Sequence, residues 1–75
     1  WTMTKERVIE LLAEHLDVDA STITEATTFE DLDIDSLDTV EIMMEMEDEF
    51  GIEIKVEDIG KTVGELIAHI DANKE

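Results

Sequence analysis

The chain contains no cysteine. That excludes a disulfide framework and a thiolate metal site, and it fits a reducing, cytoplasmic compartment. Positive charge is scarce: five Lys and Arg stand against 22 Asp and Glu, for a formal net charge of −17. Nucleic acid and anionic membrane surfaces are therefore excluded as partners, whereas basic protein surfaces suit the chain well. No apolar run approaches the roughly 20 residues a membrane helix needs. No signal or transit segment is expected ahead of the fold; Met3 reads as the natural start, with Trp1 and Thr2 an addition before it. Internal repeats, linkers and low-complexity segments are also lacking. The 75 residues leave room for one domain, 1–75, with a modest core.

What the chain does have is acid, unevenly placed. From Glu30 to Ile54 there is no Lys or Arg, while Asp and Glu recur throughout. Self-repulsion of this kind works against a compact state. An acidic surface can serve solubility alone, but the concentration around Ser36 points to partner binding. In this stretch an acidic loop leads into Ser36, and a long amphipathic helix follows, ending at Gly51. Ser36 is expected to be the N-cap, its hydroxyl accepting from first-turn N–H groups. Gly51 suits the left-handed position just past the end. At about 100° per residue, Ile42, Met46 and Phe50 form one apolar stripe, with Thr39 and Met43 alongside. Leu37, Val40 and Met44 form a second on nearly the opposite side, bordered by Glu41, Glu47 and Asp48. One buried face needs one stripe. The second is either a docking strip within an acidic rim or a surface buried between flanking helices. Periodicity does not separate the two.

The rest of the chain reads as support for that helix. Met3 to Leu16 is expected to be helical, with Val8, Leu11, Leu12 and Leu16 inward, Thr4 as N-cap, and His15 in the last turn where the helix dipole favours positive charge. Asp17 to Asp35 is a long connection, pinned to the core by Phe29 and Leu32. Gly51 to Val56 alternates like a strand but has no pairing candidate, so it reads as an extended connector. Glu57 to Ile59 forms at most one short turn, broken by Gly60. Thr62 and Glu65 make a capping box, opening a helix whose Val63, Leu66, Ile67 and Ile70 close the core. Residues Asp71 to Glu75 are expected to fray. The expected fold is all-α: a small bundle of three main helices plus one short helix, with a long loop between the first and second helices.

Candidate chemistry is thin. Asp35, Ser36 and Asp38 are close, but no His or Lys lies nearby in sequence to activate the serine, so a self-contained enzyme is not expected. His15 and His69 fit surface or helix-end roles better than catalysis or metal binding. Asp31, Asp33 and Asp35 match the first alternating ligands of an EF-hand loop, but Ser36 replaces its glycine and Ile42 its final glutamate. No dedicated metal site is expected. Weak divalent binding is expected at Glu30, Asp35 and Asp38 around the helix start, and at Glu47 and Glu53. Ser36 itself is either only a cap or a hydroxyl that another enzyme modifies at an exposed helix start. A phosphate there would meet free N–H groups, with Asp35 and Asp38 opposing it.

The segment Asp35-Ser36-Leu37-Asp38-Thr39-Val40-Glu41 resembles the attachment motif of acyl carrier proteins. Thr28-Phe29-Glu30-Asp31-Leu32 and Glu49-Phe50-Gly51-Ile52-Glu53-Ile54 resemble the same family, and the likeness extends over nearly the whole chain. Asp-Ser-Leu alone is weak; within this frame it is specific. The resemblance implies that a carrier-protein synthase, using magnesium, transfers 4′-phosphopantetheine from coenzyme A to Ser36. Acyl intermediates would then ride as thioesters on the arm's thiol, delivered to enzymes of fatty acid biosynthesis through basic docking surfaces. It assigns partner binding to Asp35, Leu37, Asp38, Val40, Glu41, Met44, Glu47 and Asp48, and an interior for the acyl cargo to Ile42, Met46 and Phe50. A monomeric, non-enzymatic carrier is implied. Three departures from the family pattern stand out. Asp33 occupies a position where glycine is common, and Lys55 one where proline is common. Glu57 to Lys61 is about two residues short. They keep open a specialised carrier in polyketide or other acyl assembly. From a different class, an acidic interaction module without prosthetic group also remains open.

Overall fold

The computed structural model describes residues 3–74. The expectations for Trp1 and Thr2, and for fraying at Glu75, lie outside the described residues. Three α-helices form: α1 (Thr4–Leu16), α2 (Ser36–Phe50) and α3 (Val63–Asn73), with single 3-10 turns at Ala20–Thr22 and Val56–Asp58. Helix α1 lies against both α2 and α3. The expected all-α bundle is thus observed, with the short helix reduced to a 3-10 turn.

The core takes one stripe from each helix: Val8 and Leu12 from α1, Ile42, Met43 and Met46 from α2, and Val63, Leu66, Ile67 and Ile70 from α3. Burying each such side chain contributes about 1.5–3 kcal/mol. The connections add Ile23, Ile54 and Ile59, all buried. Phe29 and Leu32, expected as the loop's pins, pack against the core but are only half-buried; Ile23 sits deeper. The loop is held further along by backbone pairing with the start of α3. The N–H of Phe29 donates to Lys61 O (3.0 Å), while Val63 and Gly64 donate to Thr27 O and Glu25 O (2.9 Å each).

The helix ends correct three expectations. Thr4 does not cap α1; it lies within the helix, buried, and its hydroxyl donates to Asp71 Oδ1 at 3.0 Å. That contact ties the start of α1 to the end of α3, where Lys74 N–H also donates to Ile70 O. Asp71 to Asn73 are accordingly helical rather than frayed. At the start of α3 the capping box is half made. Thr62 Oγ1 accepts from Glu65 N–H at 3.1 Å, but the Glu65 carboxylate meets the Thr62 hydroxyl (3.3 Å) instead of a backbone N–H. The extended connector is as expected: Ile54 is buried, and its N–H donates to the Glu47 carboxylate at 2.7 Å. The shortened segment after it makes one turn that sets Ile59 into the core, then reverses at Gly60 with φ +73°.

Candidate functional site

Ser36 stands at the first turn of α2, and the chain leading to it is built from reciprocal turns. Asp31 N–H donates to Thr28 Oγ1 (2.9 Å), and Thr28 N–H to Asp31 Oδ2 (3.3 Å). Leu32 and Ile34 both donate to Phe29 O. Asp33 takes the left-handed conformation, φ 58°. Few side chains but Asn and Asp tolerate that region, because a short polar group bonds locally. This gives the physical reason for Asp33 at a position where glycine is common.

The cap of α2 is Asp35, not Ser36. Asp35 Oδ1 accepts from Asp38 N–H at 2.8 Å, and Asp35 O accepts from both the N–H and the hydroxyl of Thr39 (2.9 and 2.8 Å). Aspartate and serine cap about equally well. With Asp35 one residue earlier, the helix begins at Ser36 and leaves its hydroxyl exposed, without a hydrogen-bond partner among the described residues.

Beside this start lies a tightly closed apolar cleft, lined by Phe29, Ile34, Thr39, Ile42, Met43 and Ile59, with no room for a water-sized molecule. Thr39, three residues after Ser36, lies on the same side of α2. Of the expected lining only Ile42 is present. Met46 is fully buried in the core, and Phe50 is half-buried eight residues beyond Ile42, about 12 Å along the helix. Residues from the loop and the last connection complete the wall instead.

The second stripe of α2 is open. Leu37, Val40 and Met44 are 75%, 50% and 58% exposed, so burial between helices is ruled out for them. Glu41 and Asp48 flank them in solvent; Asp38 and Glu47 are half-buried. Glu47 is also structural, through its bond to Ile54 N–H. Glu30, Asp35 and Asp38 do not together form a group of three potential ligands among the described residues. Asp35 is occupied as cap and Glu47 as a backbone acceptor. Glu30 and Glu53 project into solvent without joining a group of three potential ligands. Among the described residues, the trio with ligand atoms close together is His15, Asp38 and Glu41. Sequence reasoning missed His15, because its approach depends on how α1 crosses α2. A second α1–α2 contact is ionic: Arg7 donates to Glu49 at 2.9 Å and to Glu10 at 2.7 Å. The hydrogen bond from Arg7 holds the Glu49 carboxyl below the usual carboxylate range.

The profile of the phosphopantetheine attachment site family matches residues 6–70. An acyl carrier protein of Streptococcus pneumoniae is 47% identical over 66 residues, 88% of this chain and 89% of that one. One from Streptococcus thermophilus is 44% identical over the same shares. A solved acyl carrier protein of Thermotoga maritima superposes with a TM-score of 0.75 at 30% identity, covering 93% of this chain and 89% of that one. The chain belongs to the acyl carrier protein family. Its prosthetic group is 4′-phosphopantetheine, covalently attached, and the protein is a carrier rather than an enzyme.

Proposed function

We propose that Ser36 carries the arm and that residues 1–75 act as one acyl-carrier domain of cytoplasmic fatty acid biosynthesis. The observation that carries this reading is the Ser36 hydroxyl, exposed and unengaged because Asp35 has taken the capping role. The residues fit the group. A phosphodiester on Ser36 would sit at the N-terminal end of α2, whose dipole favours negative charge. When attached, the arm supplies the thiol this chain lacks, and acyl groups ride on it as thioesters. The cleft beside Ser36 is small and apolar; Met43 on its wall is soft enough to yield to an acyl chain.

Leu37, Val40 and Met44 form the docking strip, and Asp35, Asp38, Glu41, Glu47 and Asp48 its acidic border. Such a border steers basic partners, the carrier-protein synthase and the synthesis enzymes, and speeds encounter more than it tightens binding. No described helix is long and apolar enough to cross a membrane. The test is intact mass. Incubated with coenzyme A, magnesium and a carrier-protein synthase, the chain should gain one phosphopantetheine, and Ser36→Ala should gain none. Holo protein should then accept malonyl groups from the transacylase of fatty acid synthesis. Arm loading on the Ala variant would overturn the assignment of Ser36. Arm loading without malonyl transfer would point to a specialised pathway.

A further inference from the structure

His15 projects from the last turn of α1 onto α2, its side chain only 16% exposed, and both ring nitrogens face carboxylates. Nε2 lies 3.6 Å from Glu41 Oε2, and Nδ1 lies 3.4 Å from Glu45. One ligand atom each from His15, Asp38 and Glu41 falls within 4.8 Å of the others. Asp38 and Glu41 are three residues apart, so they share one face of α2. We propose that His15, Asp38 and Glu41 form a binding site for a borderline transition-metal dication such as Zn²⁺, clipping α1 to α2.

Two independent features separate this group from an ordinary acidic patch. The first is the imidazole itself, delivered from another helix. Carboxylates alone suit Mg²⁺ and Ca²⁺, whereas a nitrogen ligand selects zinc and its neighbours. Bonds of about 2.0–2.2 Å to zinc place two ligands of a tetrahedral centre roughly 3.4 Å apart. The 3.6 Å between Nε2 and Glu41 is already near that value. Rotation of the exposed Glu41 side chain and a small shift of Asp38 close the rest. The second is Glu45. With the metal on Nε2, Nδ1–H is left to donate to Glu45, the carboxylate–histidine arrangement that fixes the tautomer of metal-bound histidines and raises their basicity. The three protein ligands leave a fourth position for water. No cation competes from the α2 side, since Glu30 to Ile54 holds no Lys or Arg, and Arg7 is engaged by Glu10 and Glu49.

The site is tested on the whole chain with zinc chloride in a buffer that does not chelate, followed by calorimetry. Wild-type protein should bind one Zn²⁺ at least tenfold more tightly than His15→Gln, with Glu45→Gln weakened less. Mg²⁺ affinity should be the same for wild type and His15→Gln. Circular dichroism checks that the variants remain helical. A second measurement needs no variant: Co²⁺ added to the wild type should broaden the ring protons of His15 and spare those of His69. Equal zinc affinity in wild type and His15→Gln, or equal broadening of the two histidines, would overturn the site.

Discussion

Two methionines two positions apart on α2 give the sharpest test of how that helix divides its faces. Met46 is fully buried, and Met44 is 58% exposed. Met→Ala deletes the same atoms at both positions. At Met46 the loss combines transfer free energy with a cavity in the core cluster that also holds Leu12, Ile42 and Leu66, about 2–5 kcal/mol. At Met44 more than half of the side chain already meets water, so the loss is about 1 kcal/mol or less. For 75 residues, total stability at about 0.05–0.15 kcal/mol per residue is about 4–11 kcal/mol. Met46→Ala therefore removes a large share of it. Urea unfolding followed by circular dichroism reads the difference directly. With a slope near 1 kcal/mol/M, typical at the small end, the Met46→Ala midpoint should fall by at least about 2 M. The Met44→Ala midpoint should stay within about 1 M of wild type. Met44→Ala should instead slow arm transfer by the synthase. Equal midpoint shifts for the two variants would refute the division of faces, and the docking strip with it.

Three further outcomes follow from contacts around the site. Asp35→Ala should cost about 0.5–2 kcal/mol through loss of the α2 cap, whereas Ser36→Ala should leave thermal stability nearly unchanged; the reverse order would return the cap to Ser36. Because Arg7 lowers the folded pKa of Glu49, this stabilisation is complete above the unfolded glutamate pKa and is lost as pH falls through the lowered value. Carbon-detected titration of Glu49 should show its midpoint rising in Arg7→Met; an unchanged midpoint would mean that the pair does not persist in solution. Gly64→Ala should destabilise the fold even though Ala favours helix, because its Cβ would lie 2.9 Å from Glu25 O, a backbone atom that cannot swing aside. A raised melting temperature would contradict that contact.

Much of this architecture is legible in the sequence where burial follows helical period. The inward faces of α1 and α3 follow from spacing, although Leu11 and Leu16 are only half-buried; spacing also marks Leu37, Val40 and Met44 as a second stripe, but that this stripe is open is seen only in the structure. What fails is decided by single side chains with two equivalent options. Asp35 and Ser36 are both good caps, and only geometry chooses between them. Thr4 reads as a cap until Asp71, brought from the far end of the chain, takes its hydroxyl. The resemblance implies a cargo interior lined by Ile42, Met46 and Phe50 of α2, and the cleft shares only Ile42 with that set. Its actual walls include Phe29, Ile34 and Ile59, which lie in irregular segments. Asp33 was visible as a departure from the family pattern, but its left-handed backbone was not.

The pairing of the long loop with the start of α3 has a kinetic consequence. The first N–H groups of a helix have no partner within it. Here Val63 and Gly64 find theirs in carbonyls of Thr27 and Glu25, and Phe29 returns the exchange to Lys61. Neither segment can detach without exposing the other's backbone. The loop and the head of α3 therefore open as one cooperative unit, and the cleft wall carrying Phe29 travels with it. Native-state hydrogen exchange should show the amides of Phe29, Val63 and Gly64 sharing a single opening free energy. Widening the cleft for a long cargo would then be a hinged movement of this joined body against α2, not a loosening of the loop alone.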